Sequence, residues 1–135
     1  MNRFWLDANV ILRYLTDSPR HQALRVQELM KRTEAGEQEL VLDALIVAEI
    51  VWVLTSSIYN FSMEEIATNL IPFLASDKLQ IPDRDLVISA IEVARDKDVD
   101  FIDAYLALRA SEAGDTVYTF DKTDFKKLPA RWAEP

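Results

Sequence analysis

The chain has 135 residues, half of them hydrophobic and 28% charged, the balance of one globular domain over 1–135 that can bury a core. Its formal net charge of -8 argues against broad nucleic-acid binding unless a basic patch or bound cations offset the acids locally. Cysteine is absent, His21 is the only histidine, and Gly36 and Gly114 are the only glycines. These counts exclude disulfides, thiolate nucleophiles, Cys-based zinc sites and glycine-rich phosphate loops. A Ser-His-Asp triad would have to use His21, and no serine elbow accompanies it.

Arg3, Asp7 and Arg13 interrupt the first apolar region, so no secretory signal is read there. The run Ala44 to Leu54 contains Glu49 and is too short to span a bilayer. A cytoplasmic protein without a membrane segment is the expectation.

Arg3 to Asp7 predicts a short strand, and Val10, Ile11, Tyr14 and Leu15 then give a helix an apolar face. Pro19 opens a second helix, which carries Ala23, Val26, Leu29 and Met30 at helical spacing and ends near Gly36. His21 falls in its first turn and reads as a surface residue. Leu40 to Leu42 is a second strand, and Asp43 caps the helix from Ala44 to about Ser57. That helix is apolar on nearly every face, so it is expected to be central and buried. Ser62 and Glu65 have capping-box spacing at the start of the next helix, which carries Pro72 near its end. Leu79 to Ile81 is a third strand. A helix opens at Pro82-Asp83, another runs from Asp100 to Gly114, and Thr116 to Phe120 is a fourth strand. Strands alternating with helices predict an α/β fold with a short parallel sheet covered by helices.

Candidate functional residues are the acids that this pattern strands. Asp7 stands between two apolar runs, with Asn9 as its polar neighbour. Glu49 lies more than a turn from either end of its apolar helix, so capping does not account for it. It either faces solvent, pairs with an arginine or serves as a metal ligand, and the cost of an unpaired buried carboxylate favours the ligand. Asp103 falls in a first helical turn behind Asp100, where a structural role at the helix dipole is also credible. Asp121 and Asp124 follow the fourth strand. In open parallel sheets, ligands bind beyond the carboxyl ends of the strands. Crowded carboxylates there need a cation, and an all-oxygen set suits Mg²⁺ or Mn²⁺. Lys122, Lys126, Lys127 and Arg131 make the tail basic.

At these residues the chain resembles the PIN-domain metal-dependent ribonucleases, in particular the VapC-type toxins of toxin–antitoxin pairs. Leu6-Asp7-Ala8-Asn9-Val10-Ile11-Leu12 is similar to the opening motif of that family. Glu49 in Val47-Ala48-Glu49-Ile50 matches its second acid and Asp103 its third, with Asp100 a frequent companion. Thr119-Phe120-Asp121-Lys122-Thr123-Asp124-Phe125 resembles its closing motif. One departure is that many relatives carry Asn where Asp121 stands and the acid where Asp124 stands.

The resemblance covers essentially the whole chain. It implies a PIN-like α/β/α sandwich with a short central parallel sheet, and Mg²⁺- or Mn²⁺-dependent endonucleolytic cleavage of RNA. It further implies a homodimer and inhibition by a small cognate antitoxin. Asp7, Glu49, Asp103 and Asp121 are the expected catalytic and metal-holding residues, with Asp100 and Asp124 as further candidate ligands. Asn9, Arg13, Thr119 and Lys122 are the candidates for positioning substrate.

Two other readings remain open from the residues. One is a non-catalytic RNA- or protein-interaction module whose acids only cap helices. The other is a haloacid-dehalogenase-like phosphatase, which also uses an Asp after its first strand but needs a second Asp where Asn9 stands.

Overall fold

The structure is a computed structural model and describes residues 2–135. In chain order the elements are β1 (Asn2–Trp5), α1 (Ala8–Thr16), α2 (Arg20–Glu34), β2 (Gln38–Val41), α3 (Ala44–Thr55) and α4 (Met63–Leu74). Then come β3 (Leu79–Gln80), α5 (Arg84–Lys97), α6 (Phe101–Ala113), β4 (Thr116–Tyr118), α7 (Lys122–Phe125) and β5 (Arg131–Ala133).

Every strand pairing is parallel. β2 lies between β1 and β3, with Asn2 opposite Gln38 and Leu40 opposite Leu79. β4 pairs with β5 in a separate two-stranded ladder, Thr116 opposite Arg131. A parallel return needs a crossover: α1 and α2 supply it between β1 and β2, and α3 and α4 between β2 and β3, while α5 and α6 lead from one ladder to the other. The result is the α/β/α arrangement expected from the alternation. It differs in having a fifth strand and in being divided into two ladders. β5 has only three residues, too few for an alternating pattern to appear, and pairing with β4 is what makes it a strand. Because β1 and β2 run the same way, Asp7 and Asp43 leave the sheet at one edge.

Local chemistry sets the helix ends. Asp43 accepts a hydrogen bond from the Leu45 N–H at 3.3 Å and caps α3. Ser62 and Glu65 form the reciprocal box at α4: the Glu65 N–H donates to Ser62 Oγ at 3.1 Å and the Ser62 N–H to Glu65 Oε1 at 3.2 Å. Gly114 closes α6 at φ 75, a left-handed conformation that costs glycine little. Replacing Ser62 with alanine is expected to destabilise the fold by about 1 kcal/mol, read as a fall in Tm of about 3–4 °C by calorimetry.

The core joins Ile11 and Leu12 of α1, Leu40 of β2, Ile50 and Leu54 of α3, and Leu70 and Leu74 of α4. Ala90 and Ala94 of α5 and Ala104 and Ala107 of α6 are completely buried, and their small side chains let those two helices approach closely. Phe125 of α7 is 2% exposed. It anchors that short helix, and with it the acids on either side, to the core.

α3 is not buried all round. Val47, Ile50, Val51 and Leu54 face the core, but Leu45 and Trp52 are 73% and 69% exposed. The helix packs against α1, α4 and α6, and no element among the described residues covers the face that carries Leu45 and Trp52.

Candidate metal centre

Two helix beginnings build the acidic site. Asp100 is the N-cap of α6, its Oδ2 accepting from the Ile102 N–H at 3.1 Å and the Asp103 N–H at 3.4 Å. This leaves Asp103 in the first turn with its own carboxylate uncommitted to the cap. Asp121 is the N-cap of α7, its Oδ1 accepting from the Asp124 N–H at 3.1 Å. The Asp121 N–H in turn donates to Thr119 Oγ1 at 2.9 Å. The two starts are tied by the Asp100 N–H, which donates to Asp124 Oδ2 at 3.4 Å.

Asp103, Asp121 and Asp124 thereby each present a carboxylate oxygen, and these oxygens lie within 4.8 Å of one another. Asp103 and Asp124 are half-buried and Asp121 is exposed. Among the described residues no Lys or Arg pairs with any of the three.

The electrostatic consequence falls on Asp103, whose pKa is pushed up to about 6. Burial is the main cause, followed by a hydrogen bond shared with Asp124 and the fields of Asp100, Asp124 and Asp121. A proton shared between carboxylates is a substitute for a missing cation. All-oxygen donors without a basic partner fit a hard divalent ion such as Mg²⁺ or Mn²⁺.

The remaining candidates do not belong to this trio. Asp7 is exposed at the N-cap position of α1, yet its side chain makes no cap hydrogen bond. Capping therefore accounts for Asp43, Asp100 and Asp121 but not for Asp7. Glu49 is exposed and forms no ion pair among the described residues. The arginine pairing is thus removed, and so is the burial cost that favoured a ligand role. Neither Asp7 nor Glu49 joins the group within 4.8 Å. Lys122 is engaged with Glu134 at 3.0 Å. His21 is exposed.

Asn9 and Arg13 line a cleft of about 360 Å³ between α1 and α2, together with Gln22, Arg25 and Arg32. Sequence reasoning missed the α2 residues. Their spacing was the available signal: 22, 25, 29 and 32 fall on one helical face.

Parallel strands joined by helices, with carboxylates gathered at the starts of α6 and α7, define an α/β domain with a metal-type acidic site. The PIN domain family model matches this chain over residues 4–130, and the chain belongs to that family. No sequence among curated proteins matches it significantly. PIN domains are generally nucleases that use divalent metal ions, so nucleic acid is the substrate class that membership implies. No helix among the described residues is long and apolar enough to cross a membrane.

Proposed function

We propose that the chain is a Mg²⁺- or Mn²⁺-dependent endoribonuclease, the toxin of a cytoplasmic toxin–antitoxin pair, held in check by a small protein antitoxin. The observation that carries the nuclease part is the trio Asp103, Asp121 and Asp124, three carboxylates within 4.8 Å of one another and without a basic partner. The toxin and antitoxin parts rest on the motif resemblance. A homodimer fits the uncovered face of α3, where Leu45 and Trp52 stand in solvent.

In this reading Asp103, Asp121 and Asp124 would hold the cation. When bound, a divalent ion lowers the pKa of a coordinated water and neutralises charge on the phosphodiester. The chain's own contribution is placement. Asp100 and Asp121 fix the two helix starts through their caps, and Thr119 holds the backbone of Asp121. Asp7 and Glu49 are committed neither to caps nor to ion pairs, which leaves their carboxylates free to orient the attacking water. No side-chain nucleophile is required.

The test is incubation of the purified chain with RNA and Mn²⁺, followed by sequencing of the new RNA ends. Asp7→Asn and Glu49→Gln are each expected to lower cleavage by about a hundredfold or more, with an unchanged circular dichroism spectrum. Wild-type rates in both variants would remove these two acids from the catalytic set. No Mn²⁺-dependent cleavage by the wild-type chain would leave the interaction module, with acids that only cap helices, as the better reading.

A further inference from the structure

We infer that the cleft between α1 and α2 is a phosphate-binding track for a single-stranded nucleic acid, with Arg13, Arg25 and Arg32 as its cations. The inference rests on the nuclease reading above and adds to it the path of the substrate backbone.

The chain carries 23 acids against 15 lysines and arginines, and among the described residues five of those cations have a carboxylate within 4.0 Å. Arg3, Arg20, Arg95, Arg109 and Lys122 all use one. The cleft gathers three of the other ten in one place. Its lining holds three arginines and no acid, and none of the three has a carboxylate oxygen within 4.0 Å among the described residues. Glu28 has helical spacing to both Arg25 and Arg32, yet it pairs with neither. A pair of that kind is worth only a few tenths of a kcal/mol, so it would not hold an arginine against a phosphate.

The cleft is also partly organised in advance. Arg13 Nε donates to Gln22 Oε1 at 2.7 Å, which orients the guanidinium plane and leaves its Nη donors without a partner among the described residues. Guanidinium groups bind phosphate through paired donors, which a surface lysine cannot do. Arg25 and Arg32 are seven residues apart on α2, about 10 Å along the axis. That distance spans roughly three nucleotides at a stacked rise of ~3.4 Å.

Val10 and Val26 add an aliphatic wall against which a sugar can rest. A volume of about 360 Å³ is that of a small-ligand pocket, suited to part of a single strand rather than to a duplex. Asn9 lies both in this lining and in the first turn of α1, two residues after Asp7. One end of the track therefore lies at the beginning of the helix that Asp7 precedes.

The experiment measures anisotropy of a short fluorescein-labelled single-stranded RNA with the full chain in EDTA, from about 50 to about 200 mM salt. Arg25→Gln/Arg32→Gln is compared with Lys31→Gln/Lys97→Gln, which removes the same charge outside the cleft. The arginine pair is expected to weaken binding about tenfold and to flatten the log–log salt slope by about 1.4, at ~0.7 per phosphate lost. The lysine pair is expected to leave the slope near that of the wild type.

Equal affinities and slopes for the two double variants would overturn the inference. So would an acidic peptide that binds through Arg25 and Arg32 when RNA does not. Cleavage in Mn²⁺ is read in parallel on the wild-type chain. Cutting without arginine-dependent binding removes the track alone. Arginine-dependent binding without cutting removes the ribonuclease reading alone. Neither binding nor cutting removes both.

Discussion

Replacing Asp103 with asparagine is expected to lower Mn²⁺-dependent RNA cleavage by at least about a thousandfold, the scale of losing a preorganised charge at a reacting centre. Of the trio, Asp103 is the acid whose carboxylate has the least structural work. The cap of α6 belongs to Asp100, and the side chain of Asp103 answers to its acidic neighbours. Asparagine keeps its shape and removes one charge.

The same substitution at Asp121 is a useful contrast. Asp121 Oδ1 caps α7 through the Asp124 N–H, and asparagine caps a helix as well as aspartate does. Asp121→Asn is therefore expected to cost about tenfold, and Asp124→Asn about as much as Asp103→Asn. Rates from a fluorogenic RNA under saturating Mn²⁺ distinguish these cases. Full activity in Asp103→Asn would dismiss the acidic trio as the reacting centre.

The second large effect is on the response to pH. A free aspartate has a pKa of 3.8, and that of Asp103 in the folded chain is about 6. The folded state thus binds this proton more tightly than the unfolded chain does. The stability it contributes is fully present below about pH 4 and is lost as pH rises through 6. A shift of that size corresponds to about 3 kcal/mol if unscreened, and a rim open to solvent reduces it to about 1 kcal/mol.

Metal competes with that proton. Mn²⁺ is expected to raise Tm little at pH 5 and by several degrees at pH 7.5, with apparent affinity rising about tenfold per pH unit below 6 and levelling above it. Asp103→Asn is expected to gain about 3–4 °C over the metal-free wild type at pH 7.5, because one of the crowded charges is gone. It is also expected to lose the Mn²⁺ response. Calorimetry at the two pH values reads both effects. An equal Mn²⁺ shift at pH 5 and pH 7.5 would contradict the shared proton.

Several features of the site were legible because they are decided within one turn of chain. Asp43, Asp100 and the Ser62–Glu65 pair satisfy backbone N–H groups two or three residues away, and such partners are visible in the order of residues. Gly114 ends its helix for an equally local reason. The exposure of Glu49 was not legible, because an apolar helix need not be a buried one. Burial depends on what lies across from the helix, and α3 has partners on one side only.

From the order of residues alone came the alternation of strands and helices, the positions of the helix caps, and the short list of acids from which any site had to be drawn. These follow from spacing, and spacing is local. Only the folded chain decided which acids meet. Phe125 seats α7 on the core, so Asp121 and Asp124 reach Asp103, while Asp7 and Glu49 stay outside that group. It also decided that arginines from two helices share a cleft without an acid. Coulomb interactions act over a few ångströms in space, and the crossovers between strands determine which distant residues come that close.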